Sequence, residues 1–180
     1  MTLRLTIGID PGLTGAIAAV ADGEPAGCYD MPTRARRRGT GREIDAHRLQ
    51  ELLREILRNH QGAAVTVVLE VVAGFTGRAA SRSFTFGQGD GKVRAVLECM
   101  GLDLTMVEVY PQTWKGHYGL LAPRVKNGEP KPPVPGKDAS RARVVAMFPN
   151  QALPFLRAKD DGRAEALLLA LWAIQTEAAA

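Results

Sequence analysis

The apolar run Leu3-Arg4-Leu5-Thr6-Ile7-Gly8-Ile9 stops on Asp10, and Pro11-Gly12-Leu13-Thr14-Gly15 follows at once. A β-strand therefore carries one carboxylate to the rim of a sheet, and the chain turns straight back into the apolar run Ala16-Ile17-Ala18-Ala19-Val20. The event recurs sixty residues on, where Val65-Thr66-Val67-Val68-Leu69 ends in Glu70. Near the C-terminus Asp160, Asp161 and Glu165 open an apolar helix. Strand ends and helix starts can hold acids together at a solvent-facing edge. Acids gathered there suit a divalent metal better than pairing with Lys or Arg, and a metal held by carboxylates points to phosphate chemistry.

The rest of the chain reads as an α/β domain. Residues 3–10, 15–21 and 25–31 form three strands joined by short Gly-containing turns, an antiparallel meander. After an Arg-rich loop over 32–43, Leu49, Leu52, Leu53, Ile56 and Leu57 recur at helical spacing within 44–59. Residues 64–70 are apolar on both faces, as in a central strand flanked by helices. A second helix begins near Ser81 and carries Val93, Val96, Leu97 and Met100, whose apolar face is either core or an interface between copies. A strand over 104–109, a brief helix over 111–118, a helix over 138–147 and a last helix over 161–175 complete the order. Residues 121–136 hold five prolines and read as a mobile loop within a single domain spanning 1–180.

Composition narrows the function. No apolar stretch approaches the ~20 residues of a membrane span, and no signal-like segment opens the chain, so a cytoplasmic protein is expected. Cys28 and Cys99 have no CxxC or His neighbour and read as buried thiols. His47, His60 and His117 lack a metal-ligand spacing. The net charge is +4, but residues 32–43, 75–94 and 113–143 together carry +12 and the remainder −8. Concentrated basic segments beside an acidic pocket describe a polyanion binder. Hydrolysing a phosphodiester needs a nucleophilic hydroxide and charge relief on the leaving oxygen. Two Mg²⁺ ions about 4 Å apart supply both. Asp10, Glu70 and Glu165 with Asp161 or Asp160 should then lie within a few ångströms of one another.

The same residues carry a family resemblance. Ile7-Gly8-Ile9-Asp10-Pro11-Gly12-Leu13-Thr14-Gly15 resembles the first motif of RuvC-type Holliday-junction resolvases, and Glu70 after its strand resembles the second. Ser83-Phe84-Thr85-Phe86-Gly87 with Gly91, Pro111-Gln112-Thr113-Trp114-Lys115 and Lys137-Asp138-Ala139-Ser140 resemble the later segments. Asp161-Gly162-Arg163-Ala164-Glu165 and the apolar residues after it resemble the final acidic helix in its phage and prophage form. An Asp-Pro-Gly after a strand also opens actin-like ATPases, but 180 residues cannot supply their two lobes.

The resemblance implies an RNase H-like fold, a mixed five-stranded sheet flanked by helices. It implies a Mg²⁺-dependent endonuclease, with Mn²⁺ as substitute, that acts on four-way junctions as a homodimer by paired symmetric nicks leaving 5′-phosphates. It leaves any recombination helicase partner unspecified. Its acidic roles fall on Asp10, Glu70, Asp161 and Glu165, and it supports Lys115 and Lys137 as contacts to the scissile phosphate or its neighbours. The bacterial form spaces its last two acids by three residues; here Asp161 and Glu165 are four apart, with Asp160 the alternative. Asp161 is preferred because it shares a helix face with Glu165. Phe75, in a polar loop beyond Glu70, suits stacking on an unpaired base; Arg78, Arg82 and Arg141 are further DNA contacts. Trp114 is read as core. Phe84 and Phe86, two apart on a helix, cannot share one face, so at least one should pack inward. Arg34, Arg36, Arg37, Arg38 and Arg42 contact phosphates or remain a solvated loop.

Overall fold

In the computed structural model, residues 2–71, 80–100, 105–121, 136, 138–151, 155 and 157–177 are described. The three-strand meander is β1 (Arg4–Ile9), β2 (Ala16–Ala21) and β3 (Glu24–Asp30). Asp22 and Gly23 both take positive φ between β2 and β3. This is the two-residue turn whose twist matches antiparallel strands. Strand β6 (Ala64–Glu70) lies parallel to β1, and β7 (Thr105–Val109) parallel to β6, giving the order β3-β2-β1-β6-β7. This is the mixed five-stranded sheet expected from the sequence.

Between β3 and β6 the chain departs from that reading. Residues expected to be an irregular loop form a hairpin, β4 (Thr33–Ala35) with β5 (Arg42–Ile44), so Ile44 is a strand residue and not the start of the helix. Helix α1 (Ala46–Asn59) begins two residues later, where the Asp45 side chain accepts from the Arg48 backbone N–H.

Helices cover both faces of the sheet. On one face α1 and α2 (Ala80–Cys99) pack Leu49, Leu53, Ile56, Val93, Val96 and Leu97 onto Leu5, Ile7, Ile9, Val67 and Leu69. The apolar face of α2 is therefore core, and its candidacy as an interface between copies is withdrawn. Phe84 and Phe86 are 67% and 38% exposed, so neither packs inward. Gly89 takes the buried position of that turn; a Cβ there would lie 3.4 Å from Ile44 Cδ1 and 3.5 Å from the Pro11 carbonyl oxygen. Cys99 is exposed and Cys28 only partly buried, against the expectation of two buried thiols.

On the other face lie α3 (Pro111–His117), α4 (Ala139–Met147) and α5 (Asp161–Glu177). They bury Trp114, Val144, Leu167, Leu168 and Leu171 with Ala16, Ala18, Val20 and Val68 of the sheet. Helix α5 runs almost in backbone contact with the strands. A Cβ on Gly8 would sit 2.1 Å from the Ala166 carbonyl oxygen, and one on Gly162 would sit 2.5 Å from the Thr14 carbonyl oxygen. Gly162, Ala166 and Ala170 are four apart and form the helix stripe that permits this approach. No described helix is long and apolar enough to cross a membrane.

Gly8→Ala is expected to destabilise the protein by about 3 kcal/mol, since the added methyl must push α5 off the sheet. Gly91→Ala, at an open helical position, should stabilise it by up to about 1 kcal/mol. Denaturant midpoints of the two variants check this contrast; equal effects would contradict it.

Candidate active site

Strand alternation decides where the first two acids point. Leu5, Ile7 and Ile9 face α1 and α2, so Gly8 and Asp10 fall on the α5 face. Val67 and Leu69 face the same way as Ile7, which puts Val68 and Glu70 with Asp10. The parallel register sets Ile9 opposite Leu69, so Asp10 and Glu70 leave neighbouring strand ends about 4.8 Å apart across the sheet.

Both carboxylates are held by N–H donors. The Gly12 backbone donates to Asp10 Oδ1 at 3.0 Å, and the Trp114 indole Nε1–H donates to Glu70 Oε1 at 3.2 Å. Gly15 is bare because Asp10 folds over it: a Cβ there would lie 2.8 Å from Asp10 Cγ. Trp114 is core, as expected, yet its indole also orients an acid. The sequence carried no signal of that, nor of Ser140, whose buried hydroxyl donates to Glu165 Oε1 at 3.3 Å.

Helix α5 supplies the other acids. Asp161 and Glu165 flank the stripe that contacts β1, and the charges of both act on Asp10. Burial, chiefly, pushes the Asp10 carboxyl from 3.8 to about 6, with Glu165 and Asp161 adding to the rise and Gly12 and Lys115 opposing it. Burial likewise lifts Glu70 from 4.5 to about 7, helped by Asp10 and Glu165 and opposed by Lys115 and Trp114.

Asp160 is differently employed. It is fully buried, and Arg157 donates to it from its backbone N at 2.9 Å, from Nε at 3.1 Å to each oxygen and from Nη2 at 2.6 Å. The Arg157 guanidinium holds its carboxyl below the usual range. Asp160 thus spends its oxygens on fixing the start of α5, which argues against it as the alternative to Asp161.

The donor chemistry fits a hard divalent cation: four carboxylates, with no His or Cys among them. Among the described residues, however, no three such groups converge closely enough to hold an ion as they stand. The expected tight cluster is looser than that, and Glu165 pairs instead with Lys115. The Lys115 ammonium donates to its Oε1 at 3.1 Å and its Oε2 at 3.0 Å. The expectation that these acids would not pair with basic residues therefore fails for Glu165 and for Asp160.

The basic residues divide. Arg34 pairs with Glu43, Arg36 donates to the Arg42 carbonyl and to Thr85, and Arg42 donates to Thr33. Lys92 clamps the same Glu43 at 2.6 Å and so ties the hairpin to α2. Three of the five arginines thus build the hairpin, while Arg37 and Arg38 stand exposed at its tip. Arg141 is held by Asp138 and mostly buried. Phe75, Arg78 and Lys137 lie outside the described residues, as do the Arg82 side chain and positions 122–135 of the proline-rich segment.

Three solved structures are similar to this chain across nearly its whole length. One is Thermus thermophilus RuvC in complex with a Holliday junction substrate, at 14% identity and TM-score 0.52, covering 97% of this chain and 96% of that one. Another is a second T. thermophilus RuvC structure, at 15% identity and TM-score 0.50, covering 96% and 97%. The third is the yeast mitochondrial Holliday junction resolvase, at 13% identity and TM-score 0.53, covering 97% and 81%. No family model matches the sequence, and no curated protein matches it significantly. The fold is the one the sequence resemblance implied, that of the RuvC-type resolvases.

The raised carboxyls carry a pH prediction. A carboxyl whose folded value exceeds its unfolded one favours folding at low pH. That advantage is complete below about pH 4 and is lost as pH rises through about 6 for Asp10 and about 7 for Glu70. Asp10→Asn keeps the acceptor for Gly12 and removes the partly desolvated charge. In metal-free buffer it should gain about 2–3 kcal/mol over wild type at pH 8 and nearly nothing at pH 4. Melting curves at the two pH values check it; a variant less stable at pH 8 would contradict the site's electrostatics.

Proposed function

We propose that this protein is a Mg²⁺-dependent, structure-selective endonuclease that resolves four-way and related branched DNA. The observation that carries the reading is the placement of strand-end and helix-start acids at one edge, where their charges act on one another, beneath a fold shared with proteins solved as Holliday junction resolvases. Acids placed so near a DNA backbone would repel it unless a cation neutralised them, which disfavours a purely binding role.

In this reading Asp10, Glu70, Asp161 and Glu165 hold two Mg²⁺ or Mn²⁺ ions, which when bound supply a route to hydroxide at neutral pH and charge relief for the phosphate. The chain's own residues do the positioning. The Gly12 N–H and the Trp114 indole fix the carboxylates of Asp10 and Glu70, and such fixed geometry limits reorganisation during the reaction. Lys115 and Lys137 meet the scissile phosphate or its neighbours as point charges. Arg78 and Arg82 contact other phosphates, Arg141 does so only by exchanging its Asp138 partner, Phe75 stacks on an unpaired base at the branch point, and the exposed tip arginines Arg37 and Arg38 reach a duplex arm.

Paired nicks require two active sites on one junction, so a two-fold dimer is part of the proposal. Its candidate surface is now the exposed Phe84 and Phe86 of α2 rather than the buried side of that helix.

A synthetic four-way junction, incubated with Mg²⁺ beside duplex and RNA–DNA hybrid controls, tests the reading. Selective paired nicking of the junction is expected. Asp10→Asn, Glu70→Gln, Asp161→Asn and Glu165→Gln should each abolish cutting while leaving junction binding intact, whereas Asp160→Asn should chiefly lower stability. Cutting of the hybrid alone would move the protein to another nuclease class, and binding with no cutting in any divalent metal would remove the enzymatic reading. Arg37→Ala with Arg38→Ala should lower the salt slope of log affinity by up to about 2; an unchanged slope would return the hairpin tip to solvent.

A further inference from the structure

Lys115 makes a contact that phosphate binding does not require. From α3 its ammonium grips both oxygens of Glu165 on α5, at 3.1 and 3.0 Å, and the Ser140 hydroxyl of α4 takes the same Oε1. Lysine and glutamate are each 25% exposed, so water screens the pair only in part. The same positive charge acts on Asp10 and Glu70 and opposes their upward shifts. One ammonium therefore serves as counter-ion to three of the four acids, the service a divalent ion would perform.

Two further facts separate this pair from an incidental salt bridge. No three of the acids among the described residues stand close enough to hold an ion, and Glu165 is the one whose two oxygens are both held by an ammonium. A cation coordinated by Glu165 needs lone pairs that Lys115 and Ser140 now use, and it would meet an ammonium at contact distance. Lysine is also suited to leaving. Its stem is flexible and its charge compact, and Nζ already lies 5.0 Å from the centroid of the Trp114 ring, a face that can carry it once Glu165 lets go.

We propose that Lys115 is a place-holding cation: it occupies Glu165 until a divalent ion displaces it, and the displacement frees its ammonium for the DNA phosphate. The proposal rests on the reading of this edge as a metal site. It adds a coupling, because a group that one ligand releases for the other links the two affinities reciprocally.

Calorimetric titration of Mn²⁺ into the full-length, metal-free protein without DNA tests it. Lys115→Met should bind Mn²⁺ about tenfold more tightly than wild type, the scale of one charge-assisted contact no longer to be broken. Lys115→Arg, which keeps a cation on Glu165, should stay near wild type. Equal or weaker binding by Lys115→Met would overturn the proposal and make Lys115 an orienting partner of Glu165 instead. Wild-type protein that binds no Mn²⁺ would overturn the metal site itself, a different result. Amine acylation read by mass spectrometry needs no variant: Lys115 labelling in wild type should rise when Mn²⁺ is added. Labelling that stays level or falls would equally overturn the displacement.

Discussion

The near contact between the backbone of α5 and strand β1 governs this structure. Gly8 leaves room for the Ala166 carbonyl, and Gly162 leaves room for the Thr14 carbonyl. Because both positions lack a side chain, the first turns of α5 lie against the turn that follows Asp10. The acids at 161 and 165 then have no choice but to stand beside the acids at 10 and 70. A helix held off by ordinary side chains would stand farther from the sheet, and its carboxylates would miss the strand ends. The site is thus a consequence of packing before it is one of chemistry.

Packing alone leaves the assembly electrostatically expensive. Asp10 and Glu70 are partly buried at neighbouring strand ends, and their carboxyls rise to about 6 and about 7. Buried groups of one sign are stable only with a compensating charge nearby. In the metal-free protein Lys115 provides part of it, while Trp114 and the Gly12 amide supply directed hydrogen bonds. The residual repulsion is what a divalent cation would relieve, so folding stability and metal affinity draw on the same stored energy.

Much of this was legible in the sequence, for reasons that can be assigned. The strands announced themselves because their apolar runs end sharply in acids and Gly-containing turns, and α1 because its leucines keep helical spacing. The hairpin over β4 and β5 was hidden. Its strands are three residues long and mostly polar, held by side-chain bonds such as Arg42 to Thr33 and by the Lys92–Glu43 pair, with Ile44 the one core residue between them. Phe84 and Phe86 misled because hydrophobic residues suggest burial, whereas α2 approaches Ile44 through Gly89. Asp160 and Asp161 are adjacent in the sequence, one closing a short turn and the other opening α5, and only the position of Arg157 distinguishes them. The pairings of Trp114 with Glu70 and of Lys115 with Glu165 join residues 44 and 50 positions apart; no local pattern encodes them.

The central claim is that α5 and the two strand ends together form one divalent-metal centre. Crystals grown without metal and soaked in Mn²⁺, with data collected at a wavelength where manganese scatters anomalously, test it directly. The account predicts anomalous peaks about 2.1 Å from carboxylate oxygens of Asp10 and Glu70, shared with Asp161 or Glu165 and absent from Asp160. Peaks at other surface acids, with none between β1, β6 and α5, would contradict it.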